Sequence, residues 1–277
     1  MQVKAPAKLN LFLNITGRRE DGYHLLESLF VPLKLADNIT IEPAVSIEVN
    51  TPGVSFLNNT ALKAAELMRD FYKVKAGARI TIEKKIPMGA GLGGSATDAA
   101  AVIVALCSFW RIYASPSDLL GLALQIGADV PYFLDPIPAY VSGIGELIKP
   151  ARMNFDMHVL VIYPGFELLA RDVYNTYRYS EGSGSISRHS EERSDMRIYN
   201  GKNDLEEAAI SLKPEIGSLL EEIRAQENCK VARMSGSGSA CFGIFESESA
   251  ALKAKEVFAS QHFVYYEWLT HTASSKG

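Results

Sequence analysis

"PMGAGLGGSATDAA", residues 87–100, decides how the rest of this chain is read. Gly89, Gly91 and Gly94 satisfy the G-x-G-x-x-G spacing of a dinucleotide-binding turn. That fingerprint needs a strand–turn–helix–strand unit with an acidic residue closing the second strand, about 20 residues further on. Here the pattern predicts a helix to Trp110 and then a second helix, so Asp118, at the right distance, falls at a helix start. A Walker loop fails as well, because no Gly-Lys-Ser/Thr ends the run, and a protein-kinase loop fails for want of H-R-D and D-F-G. The glycines keep a physical meaning all the same. They let backbone approach a ligand closely, and Ser95 and Thr97 add hydroxyls. The long apolar helix behind them presents free N–H groups and the positive end of its dipole. The stretch reads as a phosphate site.

The 277 residues, 47% hydrophobic and 22% charged, suit one large globular domain or two ordinary ones. A net charge of -4 gives no bulk attraction for nucleic acid or an anionic membrane, which leaves small molecules as the expected partners. Cys107, Cys229 and Cys241 are scattered, odd in number and without zinc-type pairing, which fits reduced thiols in a cytoplasm. The opening "MQVKAPAKLNLFLNITG" carries Pro and Lys where a secretory signal needs an apolar core. The longest apolar run, residues 99–107, falls short of the roughly 20 residues that span a membrane. A soluble, cytoplasmic protein is expected.

Leu9, Leu11 and Leu13 alternate with Asn10, Phe12 and Asn14, predicting a half-buried strand. "DGYH", residues 21–24, reads as a turn, and "LLESLFVPL" and "DNITIEPA" as two further strands. Asn58 or Asn59 caps a helix over 60–72, and "ARITIEKKIP" is a strand ending at Pro87. After the glycine loop and its helix, "SPSDLLGLALQIG" predicts another helix with Ser115 or Ser117 as cap and Gly127 as stop. A boundary is expected near 150–156, dividing the chain into 1–153 and 154–277. Beyond it come a strand "MHVLVIYPG", a helix over 170–179 and a polar Gly/Ser-rich loop over 180–194. Two helices, a hairpin around a second glycine loop, "CKVARMSGSGSACFGIFES", a helix and a strand close the chain. Strands and helices do not alternate regularly, so the fold class is α+β in two domains.

"PMGAGLGGSATDAA" resembles the P-x-x-x-G-L-G-S-S-A loop of the GHMP kinases, the superfamily of galactokinase, homoserine, mevalonate and phosphomevalonate kinases. Two more segments are similar to that family's other motifs: "APAKLNLFLNITGRREDGYH" at 5–24 and "MSGSGSACFG" at 234–243. The Ala5-to-Leu11 run followed by Gly22-Tyr23-His24, with "IGADVPYFL" and "NDLE" downstream, narrows the likeness to a branch acting on a cytidyl diphosphate alcohol. The resemblance runs from Lys4 to about Phe245. It implies a two-domain GHMP kinase fold: a ribosomal S5-like N-terminal domain carrying ATP binding and catalysis, and a ferredoxin-like C-terminal domain. It also implies ATP and Mg²⁺ as cofactors and transfer of the γ-phosphate to the 2-hydroxyl of 4-diphosphocytidyl-2-C-methyl-D-erythritol. That reaction is a step of the non-mevalonate route to isoprenoid precursors.

The resemblance makes Lys8 and Asp129 the catalytic pair, Lys8 stabilising developing charge and Asp129 taking the hydroxyl proton. It makes Asn10, Tyr23, His24 and Tyr174 substrate-binding, with an aromatic ring stacked on the pyrimidine; Tyr177, one helical turn from Tyr174, is the other candidate. Pro87, Gly89, Gly91, Gly93, Gly94, Ser95 and Thr97 would cradle the triphosphate, with Asn59 near adenine. Gly236, Ser237 and Gly238 would wall the transferred phosphate. Without the likeness each has a plainer reading: Lys8 an exposed strand lysine, Asn10 a polar residue on a strand's solvent face, Tyr23 packing behind a turn, Asn59 a helix cap. No carboxylate cluster suggests a protein-held metal, so Mg²⁺ is expected to ride on the phosphates. The loop departs from the family at Ala96 or Thr97, where a second serine is usual, and Ser239 and Ala240 stand where proline and threonine are common. The rivals are a homoserine or mevalonate kinase and a nucleotide-binding protein without turnover.

Overall fold

The computed structural model describes residues 1–52, 59–153, 156–178 and 194–269. They form two compact units, one of residues 1–7, 34–88 and 93–136, the other of residues 8–33, 89–92 and 137–277. Two long strands, β1 (Gln2–Arg18) and β2 (His24–Ala44), each run from one unit into the other. "LLESLFVPL" and "DNITIEPA", expected as separate strands, are the two halves of β2. Its first half pairs with β5 (Ala139–Gly143) over Leu26–Phe30 and its second with β4 (Gly77–Glu83) over Asn38–Ala44. Pro32 falls between the two paired stretches, where its missing N–H removes no bond to β4 or β5.

In the first unit β3 (Ile47–Asn50) runs parallel to β4, and β4 antiparallel to β2. The register sets Ile39 opposite Ile82 and Ile41 opposite Ile80, four β-branched side chains that are all buried. Helix α1 (Thr60–Phe71) starts at Asn59, whose side chain accepts from Ala61 N at 2.9 Å and Leu62 N at 3.3 Å. Its small buried face, Ala61, Ala64 and Ala65, packs on α2 (Gly94–Phe109). Helix α2 is apolar nearly all round and buries Val102, Ile103 and Leu106 completely, each worth about 1.5–3 kcal/mol. Helix α3 (Pro116–Leu124) resolves the choice of cap: Ser115 Oγ accepts from Asp118 N at 3.1 Å. A 3₁₀ turn, Pro131–Leu134, follows.

In the second unit β5 forms a hairpin with β6 (Leu147–Pro150), which the sequence reading missed because Gly143 and Gly145 break up the short apolar pattern. A four-stranded antiparallel sheet takes the order β10–β7–β9–β8, with β7 at Met157–Tyr163, β8 at Cys229–Met234, β9 at Cys241–Phe245 and β10 at Phe263–Leu269. The expected hairpin around the second glycine loop is the β8–β9 pair. Helices α4 (Ala170–Thr176), α5 (Ser194–Asn200), α6 (Glu206–Leu212), α7 (Glu215–Arg224) and α8 (Glu248–Phe258) complete the unit. α5 begins at 194, the last residue of the stretch expected as a loop; residues 179–193, and Asn58 as an alternative cap, lie outside the described residues. The α+β class holds. Among the described residues no helix is long and apolar enough to cross a membrane.

Candidate active site

Lys8 and Asn10 lie on β1 where residues 7–13 are buried without a break. The alternation of leucines predicted one wet face, but further chain covers β1. Leu13 N donates to Lys202 O at 2.9 Å, Asp204 N donates back to Leu13 O at 2.9 Å, and the buried Arg233 guanidinium donates to Leu11 O. Lys8 is therefore 3% exposed and Asn10 2%, so neither is a solvent-face residue. Lys8 Nζ donates to Gly91 O at 2.7 Å and to Asn10 Oδ1, and sits 5.0 Å above the Phe30 ring. Asn10 is itself held, its Nδ2 donating to Ser28 Oγ at 3.0 Å and its backbone N to Ser235 Oγ at 3.3 Å. An ammonium this enclosed has lost most of its water and is pre-aimed, the condition under which a fixed charge acts strongly on a reacting anion.

Two glycine loops of the same unit close around this pair. Ala240 N donates to Ala90 O at 3.1 Å and Ser239 N to Gly89 O at 3.2 Å, joining residues 89–92 to the β8–β9 loop. Gly236 has φ +56, and a Cβ there would lie 3.0 Å from Asn10 Oδ1 and 3.1 Å from Lys8 Nζ, so only glycine fits. Asn203 fixes that turn from beneath: its Nδ2 donates to Gly236 O at 2.7 Å and Met234 O at 2.9 Å, while its Oδ1 accepts from Leu205 N at 3.0 Å. Gly238 has φ +83 and packs beside Met234, and Ser237 lies between the two glycines.

At the far end of the β1–β2 turn, Arg19 N donates to Tyr23 O at 2.8 Å and Gly22 N to Arg19 O at 2.9 Å. The turn holds Tyr23 outward, 59% exposed, which removes the reading of that ring as core packing. His24 stacks on Tyr174 with ring centroids 5.6 Å apart and an interplanar angle of 28°, and meets Tyr177 edge-on at 5.6 Å and 80°. Both tyrosines therefore belong to the His24 cluster, Tyr174 by its face. Burial, and then the charge of Arg18, lower the His24 pKa below 6.5 and keep the ring neutral at physiological pH.

The remaining candidates lie in the first unit. Helix α2 starts after Gly93 with no side-chain cap, so its first N–H groups are left for a ligand. Gly94 is the first helical residue, Ser95 is exposed, and Thr97 is 1% exposed with its Oγ1 lacking a hydrogen-bond partner among the described residues. Pro87 follows Ile86, whose N–H is held by Asp37 Oδ1 at 2.9 Å. Asp129 occupies the third position of a turn closed by Val130 N donating to Gly127 O at 3.2 Å. Asn59 is the cap of α1. Lys8 and Asp129 thus fall in different units. Among the described residues no group of three His, Cys, Asp or Glu could hold a metal ion.

Sequence reasoning did not single out Ser28, Phe30 or Ser235, which contact Lys8 or Asn10, nor Asn203, which holds the Gly236 turn. Asn203 and Ser235 stood inside "NDLE" and "MSGSG", visible as motif letters; Ser28 and Phe30 gave no signal. The description "GHMP kinases N terminal domain" matches residues 59–137 and "GHMP kinases C terminal" residues 188–264. The 4-diphosphocytidyl-2-C-methyl-D-erythritol kinase of Chelativorans sp. (strain BNC1) is 36% identical across 98% of this chain and 96% of its own length. That of Chlorobium phaeobacteroides (strain BS1) is 34% identical across 95% of each. A crystal structure of 4-(cytidine 5'-diphospho)-2C-methyl-D-erythritol kinase matches with a TM-score of 0.82 at 34% identity, over 98% of this chain and 100% of that one. A mevalonate kinase shares the fold at 15% identity, with a TM-score of 0.73 over 99% of this chain and 100% of its own.

Proposed function

The chain belongs to the GHMP kinase family, and we propose that it transfers the γ-phosphate of ATP to the 2-hydroxyl of 4-diphosphocytidyl-2-C-methyl-D-erythritol. The substrate follows from the names of the full-length relatives and from the exposed Tyr23 beside the His24–Tyr174–Tyr177 cluster, which suits a flat pyrimidine. Asp129 accepts the hydroxyl proton as that oxygen bonds to phosphorus and the bond to the bridging oxygen of ADP breaks. Lys8 holds the charge that gathers on the phosphoryl group, and Asn10 keeps Lys8 and the alcohol in place. The backbone of 236–238 walls the transferred phosphate.

The residues present fit a triphosphate. Helix α2 leaves its first N–H groups uncapped, Ser95 offers an exposed hydroxyl, and Gly89, Gly91, Gly93 and Gly94 keep side chains out of the way. Asn59 is the residue near adenine, and Pro87 and Thr97 join the glycines around the triphosphate. Mg²⁺ neutralises phosphate charge when bound, held mainly by the phosphates. The product enters the non-mevalonate route to isoprenoid precursors, in the cytoplasm, where the three free cysteines stay reduced. We set the division between the ATP-binding and C-terminal domains at 153/154, with the two matched family segments on either side of it.

The observation that carries this reading is the buried Lys8 ammonium fastened to Gly91 O and Asn10. The experiment is ADP release with Mg-ATP, comparing the cytidyl alcohol with homoserine, mevalonate and galactose, alongside Asp129→Asn. Turnover with the cytidyl alcohol alone, reduced about 10²–10⁴-fold in Asp129→Asn, is the expected result. Turnover with another alcohol overturns the substrate, and nucleotide binding without turnover overturns the reaction.

A further inference from the structure

Directly behind the uncapped start of α2 lies a charged cluster that the phosphoryl transfer does not use. Asp37, wholly buried on β2, accepts from Lys85 N at 2.5 Å, Ile86 N at 2.9 Å and Lys84 Nζ at 2.5 Å. Lys84 Nζ also donates to Asp98 Oδ2 at 2.7 Å. Side chains on a helix lean toward its N-terminus, so Asp98 reaches back over Gly94, four residues earlier. The ammonium itself touches that helix start: a Cβ on Gly94 would lie 3.3 Å from Lys84 Nζ. One ammonium therefore ties the last residue group of the β4 exit to β2 and to the first turn and a half of α2.

The charges do not balance if everything ionises. Two carboxylates share one ammonium, with side-chain exposures of 0% for Asp37, 7% for Asp98 and 12% for Lys84. Asp98 Oδ1 is buried with no hydrogen-bond partner among the described residues, an expensive state for a carboxylate oxygen and an acceptable one for half of a carboxylic acid. Burial first, with Asp37 adding to it, pushes the Asp98 carboxyl up to about 7 against the pull of Lys84. Lys84 and Asp37 are the charged groups that bear on it. A surplus negative charge sealed at this point would oppose a polyphosphate brought to the α2 N-terminus, and the enclosed setting would strengthen the repulsion.

We propose that Asp98 is a positioning residue for the nucleotide, clamped with Lys84 and Asp37 behind the α2 start, and that it takes up a proton from solvent when the polyphosphate of ATP binds there. The inference rests on the reading of residues 93–97 as part of the ATP phosphate site. Proton uptake leaves Asp37, Lys84 and Asp98 neutral as a group, so the clamp orients the helix end without repelling the ligand it serves. The sign is fixed by linkage: a ligand that raises the proton affinity of a group binds more tightly as pH falls.

Calorimetric titration with Mg-AMPPNP at pH 7.5, in buffers of different ionisation enthalpy, separates proton uptake from binding. The wild type is expected to take up roughly half a proton more than Asp98→Asn, which keeps the shape and the acceptor for Lys84. Between pH 6.5 and 8.5 its affinity is expected to weaken by about tenfold more than that of the variant. Equal proton uptake in two proteins that both bind nucleotide overturns the proposal and leaves the phosphate site standing. Failure of the wild type to bind Mg-AMPPNP overturns the phosphate site and the proposal with it. Should Asp98→Asn not fold, carbon-13 carboxyl titration of aspartate-labelled wild type gives the answer. One aspartate titrating near pH 7 and moving upward with Mg-AMPPNP supports the proposal, and the absence of any such aspartate overturns it.

Discussion

Lys8 Nζ donates to the carbonyl oxygen of Gly91 at 2.7 Å, so the first strand of the chain holds the glycine loop by its backbone. The ammonium has a structural bond and, in the proposed reaction, a chemical task, and the two separate by substitution. Lys8→Met keeps the length and the contact with Phe30 and removes the charge. Its kcat is expected to fall by about 10²–10⁴, with KM for ATP within a few-fold of the wild type. Steady-state kinetics in both substrates checks this, and an unchanged kcat would remove Lys8 from the reaction.

Gly236→Ala places a methyl group against Asn10 Oδ1 and Lys8 Nζ in a left-handed backbone conformation. The conformation alone costs about 1–2 kcal/mol, and the methyl pushes the two side chains out of register. Loss of most kcat, with a small drop in melting temperature, is the expected pair of readings. Full activity would show that the turn yields without disturbing Lys8.

Tyr174 meets His24 by its face and Tyr177 by its edge. Stacking on a base is worth about 1–3 kcal/mol, so Tyr174→Ala is expected to raise KM for the cytidyl substrate about 5- to 150-fold. Tyr177→Ala is expected to raise it less. The reverse order, measured at saturating ATP, would exchange the roles of the two rings.

Asn203 supplies three hydrogen bonds to buried backbone, two of them to the loop beside Lys8. Asn203→Ala leaves two carbonyls and one N–H without partners and is expected to destabilise the protein by about 2–4 kcal/mol in denaturant unfolding. Asn203→Asp should fare no better, because its oxygens face two carbonyl oxygens. A neutral result in either variant would mean that water replaces the amide.

His24 binds its proton less readily in the folded protein than its usual value of 6.5, through burial and then Arg18. The folded state therefore carries fewer protons there than the unfolded chain. Its contribution is present above pH 6.5 and is lost as pH falls through that value toward the folded one. His24→Phe is expected to lose less stability than wild type between pH 7.5 and 5.5. Parallel curves would place the acid sensitivity elsewhere.

The parts that could be read from the sequence are local. The glycine loop with its apolar helix, the Ser115 cap and the hairpin at 229–245 each announce themselves within one continuous stretch of chain through turn residues and periodicity. β2 reads as two strands, 25–33 and 37–44, and only the pairing of its halves with β5 and β4 shows that one strand runs through both. Burial of Lys8 and Asn10 was illegible for a similar reason. Alternation marks a strand with one wet face, but the chain at 202–204 and the side chains of Arg233 and Ser235 cover β1 from some two hundred residues away in sequence. The trio Asp37, Lys84 and Asp98 has no sequence signature, since its spacing follows from the pairing of β2 with β4 and from the lean of a helical side chain.

The course of β1 and β2 bears on how the protein can be made. Residues 8–33 leave the ribosome long before residues 137–277, yet the second unit needs both. A nascent chain halted near residue 153 holds the first unit in full and only a remnant of the second, with Asn10 still lacking Ser235 and Leu11 still lacking Arg233. Ordered synthesis from the N-terminus thus finishes one unit early and leaves a lysine-bearing strand waiting for the other. Splitting the gene at 153/154 would leave residues 8–33 on a first fragment without a competent Lys8 site, and permuting the chain to open between 178 and 194 would keep 8–33 and 194–269 on one continuous piece.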